Sequence, residues 1–162
     1  MPVSFWKSQN PTGSDKVGWR LCCATVKKMV GYNAGTKDRI QIVLESGHRL
    51  VLQPTAARGF HKLDEYIALH KPVMAGVNHT FGGTDNEHTT DHFIAIVGTG
   101  VDTKGKYYRF FDVGAADANR KNVINPRNRL YYDPHTGSYS GKSAVNGKKY
   151  TISQLRFKPG TF

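Results

Sequence analysis

Three side chains that together could hydrolyse an amide bond lie far apart along the chain. Cys22 lies within the segment 19–30, His92 opens an apolar run, and Asp112 directly follows Phe110 and Phe111. A thiol becomes a strong nucleophile when a base takes its proton, and an imidazole base works best when a third group holds its tautomer. The order thiol, imidazole, carboxylate therefore predicts a nucleophile, a base and an orienting acid.

The segment 19–30 has the periodicity of an amphipathic helix that would present the thiol. Its predicted apolar arc contains Cys22, Cys23, Val26, Met29 and Val30. We predict a helix that starts between Trp19 and Cys22, so that the positive end of the helix dipole favours a thiolate. A cysteine on an apolar helix face is also typical of a protein core, and this segment alone does not separate the two interpretations.

The other two groups are predicted at the ends of neighbouring strands. The run from His92 to Gly98 reads as a buried strand, and a turn at 101–106 leads to a second strand at 107–111. Adjacent antiparallel strands bring the side chains of His92 and Asp112 close together across the ladder. Asp91 is the alternative partner of His92, but consecutive residues of a strand point to opposite faces.

The remaining pattern predicts an α+β domain with one helix followed by an antiparallel sheet. Residues 1–18, rich in Pro, Gly, Ser and Asn, form an irregular lead-in. Residues 40–44 and 48–52 suit a hairpin, although a helix capped by Asp38 and Arg39 is an alternative for the first of them. The other expected elements are a helix at 60–69 ended by Pro72, a buried strand at 73–77, and closing strands at 129–132 and 149–155.

Composition limits the class of protein. The length of 162 residues fits one domain, and 38% hydrophobic residues suffice for a folded core. The chain contains no apolar run of about 18 residues, so no membrane span is predicted. The first residues lack the pattern of a signal peptide. We expect a protein made in the cytoplasm, which either stays there or reaches target cells by a route that needs no cleaved signal.

Charge and cysteine content narrow the expected partners. The net charge is +11, but the basic residues are scattered along the chain, which argues against specific nucleic-acid binding and is compatible with anionic cell-wall polymer. The only cysteines, Cys22 and Cys23, are adjacent, so we expect neither a disulfide nor a cysteine-based zinc site. His79 and His88 lie in an acidic loop whose spacing matches no zinc motif, and we predict no metal and no cofactor.

The combined order resembles the papain-like cysteine peptidase superfamily, in the branch of bacteriocin-leader peptidases and cell-wall amidases. The matching stretches are 22–30, 72–77, 90–98, 107–112 and 150–156. This resemblance implies a papain-like fold, in which an N-terminal helix carrying the nucleophile packs on an antiparallel, barrel-like sheet. It assigns Cys22 as nucleophile, His92 as base and Asp112 as orienting acid. Cys23 is a rival nucleophile. Cys22 is preferred because members of the family usually have an aromatic or small residue directly after the nucleophilic cysteine.

One position departs from the family pattern. Many members carry a glutamine shortly before the nucleophile, where it completes the oxyanion hole, whereas this chain has Lys16 there. Gln9 is the nearest glutamine upstream. Either Gln9 reaches the site through the lead-in, or Lys16, Asn10 or a backbone N–H replaces it.

The resemblance implies cleavage of an amide bond without naming the substrate. We expect a peptidoglycan amidase or endopeptidase that acts as an antibacterial effector, and such toxins usually travel with an immunity protein that blocks the cleft. A protease or deamidase directed at proteins is the first alternative. A basic binding module that keeps the fold without catalysis is the second.

Overall fold

A computed structural model describes residues 22–82, 87–113 and 124–161. The described part contains two α-helices, one 3₁₀ turn and nine strands. In chain order the elements are α1 (Cys22–Val30), the 3₁₀ turn (Thr36–Asp38), β1 (Arg39–Gln41), β2 (Val43–Ser46), β3 (Arg49–Leu52), α2 (Ala56–Ala68), β4 (Val73–Asn78), β5 (His92–Asp102), β6 (Gly105–Phe111), β7 (Arg129–Tyr132), β8 (Tyr139–Lys142) and β9 (Lys149–Arg156).

Six antiparallel strands close into a barrel. Their order is β9-β4-β5-β6-β7-β8, and β8 pairs back onto β9 to complete the ring. Strand β1 extends the sheet by pairing with the last residues of β9, while β8 pairs with its first residues. Closure leaves few unpaired strand edges among these elements, which removes a common route to aggregation. The predicted α+β class with an antiparallel, barrel-like sheet is confirmed.

The barrel interior holds the main hydrophobic core. Alternate residues of the central strands fill it, and α2 closes one end with Leu63 and Ile67. Tyr108 and Tyr150 are its largest fully buried side chains. Gly141 allows β8 to lie close beside the start of β7, because a Cβ at this position would lie 1.9 Å from the Arg129 carbonyl oxygen.

A smaller core joins α1 to the outer face of the barrel. Val26 and Met29 of the helix pack with Met74, Phe93 and Phe111, which alternate with the inward-facing residues of their strands. The predicted apolar arc is confirmed for the described side chains, since Cys23 and Val30 pack at its edge. Thr25 lies outside the predicted apolar arc but is also buried.

Most predicted elements are present, with differences at their ends. The hairpin forms as β2 and β3, so the alternative of a helix over 40–44 is wrong. The helix α2 starts at Ala56, four residues before its predicted start at 60. Strand β8 was not predicted from the sequence. Its four residues, Tyr-Ser-Gly-Lys, show no alternation of apolar and polar side chains. The lead-in 1–18 lies outside the described residues.

Candidate active site

The two predicted strand residues meet at one end of the barrel. Nε2 of His92 lies 2.8 Å from Oδ1 of Asp112, as the strand pairing predicted. His92 is the first residue of β5 and is 8% exposed, whereas Asp112 follows β6 and is fully buried. Asp91 is directed elsewhere, because its carboxylate accepts hydrogen bonds from the backbone N–H groups of His79 and Thr80. Asp112 is therefore the acid that contacts His92.

The second oxygen of Asp112 is held by two hydroxyl groups. Ser143 Oγ donates at 2.6 Å and Tyr150 OH donates at 2.7 Å, both to Oδ2. Burial, followed by the negative charge of Asp112, raises the pKa of Tyr150 well above its usual range. Tyr150 therefore keeps its proton at neutral pH and donates the hydrogen bond. Together with the contact to His92, these bonds satisfy both oxygens of a buried carboxylate.

The loop between β8 and β9 fixes these two hydroxyl groups in turn. The backbone N–H of Val145 donates to Ser143 Oγ at 3.1 Å, and Asn146 Nδ2 donates to Tyr150 OH at 2.9 Å. A carboxylate with this surrounding shell cannot rotate freely, so the ring of His92 is oriented as well. The sequence analysis did not identify Ser143 or Tyr150, because both lie on elements that reach Asp112 only through barrel closure.

The start of α1 packs against the outer face of β5, beside Phe93. Cys23, in the first turn of the helix, has its sulfur 3.9 Å from Nη1 of Arg156. The guanidinium of Arg156 stacks on the ring of Phe93, 4.7 Å from its centroid, and Phe93 directly follows His92. Cys22, the first residue of α1, therefore begins a helix that packs on the outer face of β5, where Phe93 alternates with His92 along the strand.

Several predicted residues cannot be compared with the structure. The side chain of Cys22, together with Gln9, Asn10 and Lys16, lies outside the described residues. Asp85, which belongs to the acidic loop that contains His79 and His88, also lies outside the described residues. Cys23, the rival nucleophile, packs against the small core under α1 and is half-buried.

A buried polar network supports the region beneath Cys23. Nε2 of Gln154 donates to Glu87 and to Thr90, and its carbonyl oxygen accepts from Nε of Arg156 at 2.7 Å. Arg39 completes the chain through its ion pair with Glu87. Burial lowers the pKa of Arg156, and the carboxylate of Glu87 is among the charges that offset this effect. The network fixes β9 under the helix.

Gly76 leaves the space that this network needs. A Cβ at this position would lie 2.6 Å from both Gln154 Cγ and Thr90 Cγ2. Any larger residue would push these side chains away from their hydrogen-bond partners.

Within the described ranges, no group of three or more His, Cys, Asp or Glu side chains is placed to hold a metal ion. Among the same residues, no helix combines the length and apolar character needed to cross a membrane.

Comparison with known proteins gives no relative from which a role could be transferred. No protein-family model, curated protein or solved structure matches the chain significantly. The geometry of the His92–Asp112 pair therefore has to carry the functional argument.

Proposed function

We propose that this protein is a papain-like cysteine hydrolase that cleaves amide bonds, with Cys22 as the nucleophile. The observation that carries the proposal is the buried pair of His92 and Asp112, 2.8 Å apart. A histidine held by a fully buried carboxylate is the arrangement that a general base requires. The position of α1 supports the assignment of the thiol, because the helix that begins at Cys22 packs on β5, the strand that begins at His92.

The proposed reaction divides the work among the three residues. Asp112 binds Nε2 of His92, so that Nδ1 takes the proton of the Cys22 thiol. The thiolate attacks the amide carbonyl, and the C–N bond breaks as the histidine returns the proton to the departing amine. Water, deprotonated by His92, then attacks the thioester, which releases the acid and restores the thiol. Backbone N–H groups in the first turn of α1 are the donors that we propose for the oxyanion.

We further propose peptidoglycan as the substrate and an antibacterial effector as the biological role. The net charge of +11 supports this choice, because a strongly basic protein is attracted to anionic cell-wall polymers. An immunity protein that covers the end of the barrel near His92 would be the corresponding partner.

Hydrolysis of purified sacculi tests this function directly. We expect wild-type protein to release soluble muropeptides and Cys22→Ala to release none, while Cys23→Ala keeps most of the activity. Cys23→Ala is the matched control, since it removes the neighbouring thiol. Loss of activity in Cys23→Ala together with retention in Cys22→Ala would reverse the assignment of the nucleophile.

Thiol reactivity separates the remaining alternatives. The alkylation rate of Cys22 should exceed that of a free thiol at mildly acidic pH and should fall to the free-thiol rate in His92→Ala. A reactive Cys22 with intact sacculi would favour a protein-directed protease or deamidase. A Cys22 that reacts no faster than a free thiol would exclude the hydrolase and favour a binding module.

A further inference from the structure

A cavity of about 590 Å³ lies beside the proposed catalytic pair. The hairpin residue Arg49 forms one side, the end of β4 and the residues after it form the floor, and the turn before β8 closes the far side. We call it the basic cavity and define it by five lining residues: His48, Arg49, His79, His135 and Lys149. A volume of this order accommodates a short peptide segment.

The lining has one sign of charge. Among the described residues that line the basic cavity, two are cationic, three are histidines and none is acidic. Lys149 Nζ is 3.1 Å from Asp133 Oδ2 and is therefore partly neutralised. Arg49 makes no ion pair within the described part of the chain, so its guanidinium is the donor best suited to a ligand carboxylate.

Histidine 79 connects the basic cavity to the catalytic pair. Its ring lies 5.8 Å from the ring of Tyr150, and the ring of Tyr150 lies 5.6 Å from the ring of His92, measured between centroids. The backbone N–H of His79 is also bound by Asp91, the residue directly before His92. A ligand in the basic cavity would therefore lie one aromatic ring away from the proposed base.

Resting on the proposed function, we infer that the basic cavity is a substrate subsite that binds an acidic peptide segment through its side-chain carboxylates. Two cations and the histidine N–H groups supply the donors, and none of the described lining residues is acidic. The nearby carboxylates Asp133 and Asp91 are bound by Lys149 and by the backbone N–H groups of His79 and Thr80. Aromatic contact from Phe81, which also lines the cavity, would bind the aliphatic part of the segment.

Binding to an inactive variant tests this inference without relying on turnover. In Cys22→Ala protein we would titrate two capped tetrapeptides, acetyl-Ala-Glu-Glu-Ala-amide and acetyl-Ala-Gln-Gln-Ala-amide, and follow the amide signals by NMR. We expect the acidic peptide to bind about tenfold more tightly and to shift signals of residues 48–51 and 78–81. Equal affinity for the two peptides would overturn the inference.

Charge variants distinguish the basic cavity from general attraction to a basic protein. Arg49→Gln should weaken binding of the acidic peptide about three- to fivefold, and Arg49→Gln with Lys149→Gln should reduce it to the level of the glutamine peptide. The matched control replaces Arg127 and Lys142, which line a separate groove, by glutamine. An equal loss in the control pair would overturn the inference. If loss of the Lys149–Asp133 ion pair unfolds the double variant, the affinity of Arg49→Gln alone for the acidic peptide still tests the inference.

The two proposals fail separately. If sacculi stay intact, Cys22 is unreactive and the acidic peptide binds selectively, the proposed hydrolase activity is wrong and the basic cavity is still a peptide-binding site. If hydrolysis depends on Cys22 and both peptides bind equally, the hydrolase activity is supported and the proposed subsite is wrong.

Discussion

The strand pair β5–β6 has a bound carboxylate at each end, and the two differ in ways that bear on function. Asp112, just after β6, accepts hydrogen bonds from Ser143 and Tyr150 and contacts His92. Asp102, the last residue of β5, is bound by a tyrosine and a basic residue too. The same kinds of donor therefore surround both carboxylates.

The carboxylate of Asp102 remains near water. Tyr131 OH donates to it at 2.6 Å, Arg129 Nη1 lies 2.7 Å away, and the backbone N–H of Lys104 binds its other oxygen. The hydrogen bond from Tyr131, then those from Lys104 and Arg129, lower the pKa of Asp102 below its usual range. Its side chain is 24% exposed, so solvent screens these interactions.

The comparison shows which of the two clusters is suited to proton transfer. An arginine keeps its charge at any pH, so Asp102 and Arg129 form a fixed ion pair that ties β5 to β7. A histidine gains and loses a proton near neutral pH, and a buried carboxylate beside it is not screened. The cluster at Asp112 therefore combines a histidine partner with a fully buried carboxylate, whereas the cluster at Asp102 has neither.

Replacing Asp112 and Asp102 in turn by asparagine should give the largest difference in activity. Asp112→Asn should reduce sacculus hydrolysis by about three to four orders of magnitude, because the amide no longer holds His92 in the required tautomer. It should also lower the free energy of unfolding by about 1–3 kcal/mol, since a buried donor loses its acceptor. Activity assays and urea denaturation measure the two effects.

Asp102→Asn is the matched control for this experiment. Water can replace the lost contacts at an exposed position, so activity should be unchanged and the urea midpoint should shift less than that of Asp112→Asn. Equal losses of activity in the two variants would contradict the distinction between the clusters.

The sequence was sufficient for the parts of the site that depend on local pattern. The apolar run after His92 and the turn at 101–106 define a two-strand unit, and antiparallel pairing within it places His92 and Asp112 at the same end of the two strands. Amphipathic spacing likewise located α1, and turn residues located the hairpin of β2 and β3.

The parts that depend on barrel closure could not be predicted. Ser143 and Tyr150 reach Asp112 because β8 pairs with β9, and no short-range pattern encodes that pairing. Arg156 is buried where β9 pairs with β1 and β4, although arginine side chains are mostly exposed. Long-range contacts between polar residues leave no periodic signal in a single sequence.

The two tyrosines give a smaller contrast than the two carboxylates. Tyr150→Phe removes one of the hydroxyl groups that hold Asp112 and leaves Ser143 in place, so we expect about a tenfold loss of activity and a loss of about 1–2 kcal/mol in stability. Tyr131→Phe removes the equivalent bond to Asp102, where water can substitute. It should leave activity unchanged and cost less stability. Full activity in Tyr150→Phe would show that Ser143 alone positions the carboxylate.

The smallest expected effect concerns His79, the second histidine near Asp112, and the dependence of stability on pH. The rings of His79 and His92 both contact the ring of Tyr150, and Oδ2 of Asp91 lies 3.9 Å from Nδ1 of His79. Burial is the main reason that the pKa of His79 is lowered from 6.5, and the charges of Lys148 and His92 act in the same direction. Asp91 and Asp112 act against it without cancelling the effect.

A lowered histidine pKa in the folded state makes stability depend on pH with a defined sign. Below pH 6.5 the unfolded chain binds a proton at His79 before the folded protein does, so stability falls as the pH decreases through the folded-state pKa. His79→Gln should remove this part of the decline, and His61→Gln, at an exposed position on α2, should not. Urea denaturation of both variants between pH 7.5 and 5 measures the difference. A decline as steep in His79→Gln as in the wild type would mean that His79 does not carry this acid sensitivity and would assign it to other groups.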